Sequence, residues 1–485
     1  MEKRKLLKIE DLSVRKLTAL SGMLFGFDIS SKSGVIDTVQ YKNYYGNSLG
    51  VVQGGITSAM AAGSFVGSEA ASVIGDKVSR KIAIQGGAIV WCIGAVLQSS
   101  SNGVGMLITG RLIGGLCIGR TSSLVPVYQS EIAPRKIRGR VVSFQQSAIT
   151  GGVRIQLHWL AVGDPGRSRH YLFIGLFWFP YSPRWLAKKN RWEEVLQVLA
   201  LLRTPNNNIN DPLVLAEYKE IEDQIRIERE EVSSSFRELY SPKLRKRVFL
   251  AVAIQMWGQL TGINVAIYYI AYLVQSAGIT NIPSILWTDH FGRRPALLIG
   301  SIFMSFWLSL IGGLYMRMAS PNPISNQPYT WIITNHPAAS RAILACIYLD
   351  VASFNVTWGP LIWIYPPEVV PLRILASNWA INFALGLAVP PMLRSISWRM
   401  FFVFASFNLA AFIHVLIAAP ETMQRTLEEL DEIFEHGAPL WKSTRYKLAT
   451  NKLDLMAQDI ERSMCRTPQS VPVEMDDHVA NVLLV

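Results

Sequence analysis

Residues 70–98 read AASVIGDKVSRKIAIQGGAIVWCIGAVLQ, and residues 289–316 read DHFGRRPALLIGSIFMSFWLSLIGGLYM. Both stretches contain an aspartate, then a pair of basic residues that begins four positions later, and then a long run without charge. A helix needs about 20 mainly apolar residues to cross the hydrocarbon core of a bilayer. The two runs therefore predict transmembrane helices, and the shared motif indicates that the chain contains one structural unit twice.

Two further motifs recur in the same order in the two parts of the chain. An E-x-x-P motif stands at 131–134 and again at 368–371, and a proline-led motif stands at 180–184 and again at 420–422. Parallel repeats of several spans are the architecture of one large class of secondary transporters. The sequence therefore predicts an all-α transmembrane protein made of two six-helix bundles in parallel repeat.

Twelve apolar runs are candidates for the spans. The sixth and the eighth are only stubs, so we expect about 10 to 12 complete spans, with helices 6 and 8 shortened. The spacing shows the same deficit, because Asp28 stands 48 positions before Asp76, whereas Asn264 stands 25 positions before Asp289. The runs are 17–36, 51–74, 82–98, 104–128, 141–162, 171–180, 248–276, 282–287, 296–318, 341–365, 375–393 and 399–419.

A polar stretch between the sixth and seventh runs is rich in Glu, Lys and Arg and has helical periodicity. It predicts a linker between the two bundles, whereas the end of the chain loses all periodicity. We therefore predict an N-terminal bundle over 1–183, a cytoplasmic helical linker over 184–247, a C-terminal bundle over 248–420, and a mostly disordered cytoplasmic tail over 421–485.

Half of the 485 residues are apolar, 17% are charged, and the formal net charge is +12. The basic residues stand in short clusters at the ends of the apolar runs, without the interleaved aromatic residues of a nucleic-acid surface. By the positive-inside rule these clusters mark the cytoplasmic side and place both termini there. The four cysteines have no metal or disulfide spacing, and no nucleophile elbow or phosphate loop is present. The composition thus favours a membrane protein without a cofactor over an enzyme.

Asp28 and Arg111 are charged residues inside the first and the fourth predicted span. A charge in hydrocarbon is costly unless it is paired or faces a water-filled cavity. The two residues predict a proton-coupling pair, because burial favours the protonated carboxyl while a nearby guanidinium favours the carboxylate. A permanent salt bridge that only fixes helix packing is the alternative.

Polar and aromatic residues in the later spans predict a binding site for a neutral polyol. Amides donate and accept hydrogen bonds without carrying charge, and aromatic rings cover the apolar faces of a sugar ring. Gly359-Pro360 predicts an interruption of the tenth span, and Pro366-Pro367 predict its end. Hydrogen bonds between helices are the alternative explanation of the polar residues. The candidates are Gln259, Asn264, Tyr268, Tyr269, Trp363, Asn378 and Trp379.

Charged residues at the cytoplasmic ends of the spans predict ion pairs that stabilise the outward-facing state. Single solvated pairs contribute little to stability, but their occurrence in both halves favours a gate. The candidates are Asp76, Arg80, Glu131, Arg138, Arg184, Asp289, Arg293, Glu368, Arg373 and Glu421.

Together these motifs resemble those of the fungal sugar porters of the major facilitator superfamily, over about residues 18–435. The resemblance implies proton symport through Asp28 and Arg111, and it adds Gln146 to the residues that bind the sugar. It also implies a monomeric, multi-pass protein of the plasma membrane whose partners are a sugar, protons and the lipid bilayer. The matching sequences are GFD at 26–28, QYKNYY at 40–45, GR at 110–111, VPVYQSEIAP at 125–134, RGR at 138–140, QLTGIN at 259–264, GRRP at 292–295, GP at 359–360 and PET at 420–422.

The chain departs from the family pattern at several positions. Tyr181 stands where the family has Glu, Ser79 stands where it has Gly, and Glu69 lies within the second predicted span. The resemblance then implies that the cytoplasmic contact of the first half has lost a charge and a tight turn. The shortened spans leave a second interpretation open, which is a non-transporting sugar receptor or a defective, truncated transporter.

Overall fold

The computed structural model describes part of the chain, and nearly all of that part is helical. The first and eighth predicted spans and most of the fifth and sixth lie outside the described residues, as does the tail beyond 422. The described residues are 44–45, 51–132, 141, 149, 180–204, 207–231, 242–263, 292–321, 331–332, 336–369 and 376–422.

The helices follow the predicted apolar runs to within a few residues at most ends. A short antiparallel pair of strands, β1 (Ser320–Pro321) and β2 (Trp331–Ile332), separates α8 from α9. The helices are α1 (Val51–Lys77), α2 (Arg80–Ser99), α3 (Val104–Ile132), α4 (Pro183–Lys188), α5 (Trp192–Arg203), α6 (Pro212–Glu231), α7 (Pro242–Leu260), α8 (Arg293–Met318), α9 (Pro337–Val356), α10 (Trp358–Val369), α11 (Ala376–Ser395) and α12 (Arg399–Ala418).

Among the described residues, four helical segments are both long and apolar enough to cross a bilayer: α2, α8, α12 and the segment Pro337–Pro366. Large apolar side chains such as Val96, Phe306 and Ile417 are exposed on these segments. Such faces suit hydrocarbon, because lipid tails are as apolar as the side chains themselves. The described helices are therefore those of a multi-pass membrane protein.

The backbones of α1 and α3 are almost in contact. A Cβ atom added to Gly115 or Gly119 of α3 would overlap the carbonyl oxygens of Met60 and Ser64 in α1. Small residues four positions apart are typical of close helix pairs in membranes. The Ser64 hydroxyl adds a hydrogen bond of 3.1 Å to the Gly115 carbonyl. Close backbone approach thus fixes these two helices against each other.

The tenth predicted span consists of two helices, because α9 ends at Val356 and α10 begins at Trp358. The interruption lies just before the predicted Gly359-Pro360. Pro360 then occupies the first turn of α10, where a missing N–H breaks no helical hydrogen bond. The break itself was predicted correctly, and its position is shifted by about two residues.

The prediction that Pro366-Pro367 end this helix is wrong, because α10 continues to Val369. Pro366 has no N–H to donate to the carbonyl four residues earlier, that of Ile362. Gln255 of α7 donates to this carbonyl through Nε2 at 3.0 Å. A neighbouring helix thus satisfies the backbone group that the proline leaves open, as membrane helices with internal proline require.

The helices α4, α5 and α6 form a compact unit of their own, and the other described helices belong to a second unit. Trp185, Leu199 and Val214 lie in the apolar core of the α4–α6 unit. Arg203 donates two hydrogen bonds, of 2.7 and 2.8 Å, to the carboxylate of Glu217. The helix α7 begins at Pro242, inside the stretch predicted as linker. The division into bundles, linker and tail stays a prediction.

Candidate functional site

Three side-chain amides from two helices form a buried cluster, which we call the amide triad: Gln259 of α7 with Asn378 and Asn382 of α11. Asn382 Nδ2 donates to Gln259 Oε1 at 2.9 Å, and Gln259 Nε2 donates to Asn378 Oδ1 at 2.6 Å. Both asparagines reach one glutamine because residues four apart lie on the same face of a helix. The triad therefore holds neutral donors and acceptors in the interior of the helix bundle.

The helix α7 ends directly beyond the triad. Gly262 has a φ of +88°, a region that favours glycine, and a Cβ there would lie 3.0 Å from Cγ of Phe404. Asn408 of α12 donates to the Thr261 carbonyl at 3.1 Å and so satisfies a backbone group freed by the helix end. Helix ends inside a membrane bundle are typical of transporter binding sites. The predicted site residues that follow this end lie outside the described residues: Asn264, Tyr268 and Tyr269.

Trp363 is buried in α10, next to the carbonyl of Ile362 that Gln255 holds. A Cβ on Gly258 would overlap the Ile362 side chain, so α7 and α10 pack closely at this point. The helices α10 and α11, which carry the other predicted aromatic and amide residues, thus both pack against α7. The predicted Gln146 lies outside the described residues.

Trp379 of α11 connects the second repeat to the first. Its indole Nε1 donates to the hydroxyl of Ser122 in α3 at 3.0 Å, and both residues are almost fully buried. Arg111 lies on the same side of α3, about three turns from Ser122, and is buried as well. Asp28, its predicted partner, lies outside the described residues. The proton-coupling pair therefore stays a prediction.

Arg80 joins α1, α2 and α3 at one end of the first half. Its Nη1 lies 3.1 Å from Asp76 Oδ1 and its Nη2 lies 3.4 Å from Glu131 Oε1. Nη1 also donates to the Gly75 carbonyl at 3.2 Å, and the arginine is only 3% exposed. A buried charge of this kind is tolerated because several groups compensate it, and removing one partner would leave charge uncompensated. Three of the predicted gate residues thus form one contact.

The second half has a different contact at the corresponding position. Glu421 accepts hydrogen bonds from the backbone N–H groups of Arg293 at 2.8 Å and Arg294 at 3.1 Å. The carboxylate thereby caps the start of α8, where the helix dipole favours negative charge. Gly292 precedes the cap with a φ of +88°, and a Cβ there would lie 2.6 Å from Glu421 Oε2. Glycine is therefore required at this turn.

The N-cap residue of α2, Ser79, makes no capping hydrogen bond through its side chain. Ser79, which matches Gly292 in the repeat, has a φ of +153°, a conformation that residues with a Cβ rarely adopt. Tyr181, which matches Glu421, stacks on Trp185 with the ring centroids 5.5 Å apart. Ser79 therefore connects α1 and α2 under backbone strain, and the expected loss of the family's tight turn stays a prediction.

Two other predicted gate residues lie in described helices. Arg184 lies in α4 of the α4–α6 unit, and Glu368 lies in α10. Arg138, Asp289 and Arg373 lie outside the described residues. Within the described ranges, no group of three or more His, Cys, Asp or Glu side chains could hold a metal ion.

Several polar residues of these helices were not predicted from the sequence. Gln255, Ser122 and Asn408 hold neighbouring helices together, and their partners are distant in the chain, so that no local signal indicates the contacts. Asp350 is different, because it is an acidic residue within the apolar run 341–365. A search for charges inside predicted spans would have found it.

Repeated motifs at matching helix ends, an interrupted helix and buried uncharged amides are features of a secondary transporter with parallel repeats. The fold agrees with that of a solved structure, the proton:xylose symporter XylE bound to 6-bromo-6-deoxy-D-glucose. The TM-score is 0.69 with 21% sequence identity, and the match covers 87% of this chain and 98% of that chain. The predicted major facilitator fold is therefore confirmed.

The chain belongs to the Sugar (and other) transporter family, whose sequence model matches residues 15–155 and 168–434. The MFS glucose transporter mfs1 of Aspergillus flavus is 44% identical over 500 residues, which cover 93% of this chain and 94% of that protein. The high glucose sensor RGT2 of Saccharomyces cerevisiae is 28% identical, over 96% of this chain and 64% of that protein. The predicted resemblance to fungal sugar porters is confirmed.

Proposed function

We propose that this chain carries a neutral sugar across a membrane by alternating access. The observation that carries the proposal is the amide triad, because amides match the hydroxyls of a sugar as both donors and acceptors. The helix α7 has no charged residue from Val248 to Leu260, and α11 has none from Ala376 to Leu393. These stretches around the triad thus offer no charge to an acidic or basic substrate.

A hexose is the substrate class that we propose. The relative from Aspergillus flavus is named as a glucose transporter, and its similarity extends over nearly the whole of both chains. Trp379 stands directly beside Asn378 in α11, and Trp363 lies in the adjoining α10. Aromatic rings of this kind can cover the apolar C–H face of a pyranose while the amides bind its hydroxyls.

Proton symport through Asp28 and Arg111 is the coupling that we propose. Arg111 is buried in α3, and Asp28 lies in an apolar run that predicts a span. Intramembrane charges of opposite sign commonly form proton relays in transporters. Protonation of the aspartate would weaken its attraction to the arginine and so favour a different arrangement of the helices.

The contacts at the ends of the two halves are proposed to stabilise one conformation of the cycle. The Arg80 contact with Asp76 and Glu131 and the Glu421 cap of α8 would both have to change when these helix ends separate. We further propose that the protein is a monomer in the plasma membrane with both termini in the cytoplasm, and that it binds no nucleic acid.

A sugar sensor that binds without transport is the second candidate function. The relative RGT2 is named as a glucose sensor, which favours this candidate. Ser79, directly before Arg80 of the first-half contact, also has a strained φ, and Tyr181 stands where the family has Glu. Binding without uptake would distinguish the sensor from the transporter.

The experiment is glucose uptake in cells that lack their own hexose transporters. We expect radiolabelled glucose to accumulate in cells that produce the chain, and a proton uncoupler to abolish the accumulation. Purified protein should bind glucose in the same study. Binding without uptake would contradict transport and support the sensor, and the absence of both would contradict both candidates.

A further inference from the structure

Asp350 is a buried acidic residue that the proposed sugar and proton sites do not use. It lies near the middle of the membrane-crossing segment Pro337–Pro366 and is only 4% exposed. Its Oδ1 has no hydrogen-bond partner in the part of the chain that the structure describes. The residues around it on α9, Cys346, Ile347 and Phe354, are buried and apolar. The carboxyl group therefore lies among buried apolar side chains.

The helices packed against α9 in the described ranges are α8 and α10. The charged residues of α8 stand only at its ends, Arg293 and Arg294 at the start and Arg317 near the finish. The only charged residue of α10 is Glu368, close to its end. The titratable hydroxyls are Tyr315 of α8, Tyr348 of α9 and Tyr365 of α10. The last of these donates to the Pro420 carbonyl at 2.9 Å.

An isolated carboxylate in such surroundings would be expensive. The effective penalty for burying an unpaired ion is several kcal/mol even after relaxation, and a group in that position binds a proton instead. An apolar side chain of similar volume would fill the same space without this cost, so the acidic side chain needs another explanation than packing.

We propose that Asp350 is a second proton-binding site of this protein, protonated while α8, α9 and α10 are packed together and deprotonated when they separate and admit water. The proton binds Oδ1 or Oδ2 and leaves to bulk water, so that no other co-reactant is needed. Proton binding at this site stabilises the packed arrangement of the second half.

The helix that carries Asp350 is interrupted close to this residue. The α9–α10 break at Thr357 lies about two turns beyond Asp350 on the same helix. Trp358, the first residue of α10, donates through Nε1 to the Leu297 carbonyl and to the Ser301 hydroxyl of α8, each at 3.0 Å. The start of α10 is thus attached to α8. Movement at the break would alter the packing that excludes water from Asp350.

The first test is infrared spectroscopy of the full-length protein in lipid nanodiscs. We expect the wild type at neutral pH to show a C=O stretch of protonated carboxyl groups, and Asp350→Asn should remove the component that belongs to Asp350. The control is Asp223→Asn, which changes an exposed carboxylate in α6 and should leave the band unchanged. An identical band in Asp350→Asn and Asp223→Asn would overturn the proposal.

The second test is thermal unfolding of the same proteins between about pH 5 and about pH 8. The folded state keeps the proton while the unfolded aspartate releases it above about pH 4, so wild-type stability should fall with rising pH, by up to about tenfold in the equilibrium constant per pH unit. Asp350→Asn should lose this dependence relative to Asp223→Asn. Parallel profiles would overturn the proposal.

Asp350→Glu keeps a carboxyl at the site and serves as the second variant if the amide fails to fold. It should retain both the pH dependence and a protonated-carboxyl band with a shifted frequency. An unshifted band in Asp350→Glu would show that the proton is bound elsewhere. None of these measurements uses sugar or transport, so the proton site and the proposed function can fail independently.

Discussion

At the residue scale, the two repeats have different residues at a position with positive φ. Gly292 and Ser79 both precede a helix that begins with an arginine, and both have positive φ. Glycine adopts this conformation without steric cost, whereas serine stores strain of about 1 to 3 kcal/mol. The second half thus serves as an internal comparison for the first, because it has glycine at the position where the first half has serine.

We expect Ser79→Gly to raise the free energy of unfolding by about 1 kcal/mol, because the strain at the turn is relieved. The measurement is thermal or denaturant unfolding of the purified protein. The reciprocal change, Gly292→Ala, should lower stability, because its Cβ would lie 2.6 Å from Glu421 Oε2. Destabilisation by Ser79→Gly would contradict this account of the turn.

The amide triad gives a second prediction at this scale. Gln259→Ala should weaken glucose binding by about 1 to 3 kcal/mol, since it removes one ligand group and leaves Asn378 and Asn382 without their shared partner. This corresponds to roughly a fivefold to 150-fold rise in Kd. The matched control is Asn210→Ala, an exposed amide in the loop before α6. Equal affinity in the two variants would favour a packing role for the triad.

At the scale of elements, the sequence predicted the helices well and their ends and contacts less well. The predicted run 82–98 corresponds to α2, which is two residues longer at its start and one residue longer at its end. The agreement is close because the length of an apolar run directly determines a span. The passage of α10 through Pro366 could not be predicted, since it depends on Gln255, which is 107 positions distant from Ile362. Likewise Gln259 and Asn378 were predicted as site residues, but their direct contact required the packing of α7 on α11.

The α1–α3 contact gives a prediction for one element pair. Gly119→Ala should destabilise the protein by about 1 to 3 kcal/mol, because the methyl group would overlap the Ser64 carbonyl and force the helices apart. The control is Gly55→Ala in α1, where a Cβ meets nothing within 4 Å. The control should be neutral or slightly stabilising because alanine favours a helix. Equal melting temperatures for the two variants would contradict the close contact.

At the scale of the whole molecule, the two repeats are connected through the interior as well as by the chain. The Trp379–Ser122 hydrogen bond joins α11 to α3, and α11 also packs along α1. Alternating access requires that such contacts between repeats form and break while each repeat keeps its own packing. A single donor in this contact can therefore influence the equilibrium between conformations.

Trp379→Phe keeps an aromatic ring and removes only the donor to Ser122. We expect a loss of about 1 kcal/mol in the contact between the repeats, or roughly a fivefold shift of the conformational equilibrium. Hydrogen exchange in α3 and α11 should increase. The control is Trp358→Phe, whose bonds lie within the second half, and it should increase exchange in α8 and α10 instead. Identical hydrogen-exchange patterns in the two variants would contradict a role of the Trp379–Ser122 bond in joining the repeats.

The hydrogen bonds of the amide triad run in one direction, because Asn382 donates to Gln259 and Gln259 donates to Asn378. A ligand hydroxyl can enter this series of bonds by exchange, because it accepts one bond and donates another. A deoxy position or a fluorine cannot do both, and it leaves an amide group unsatisfied. Under the proposed function, the protein would therefore reject deoxy and fluoro analogues at one ring position through the hydrogen bonds of the triad itself.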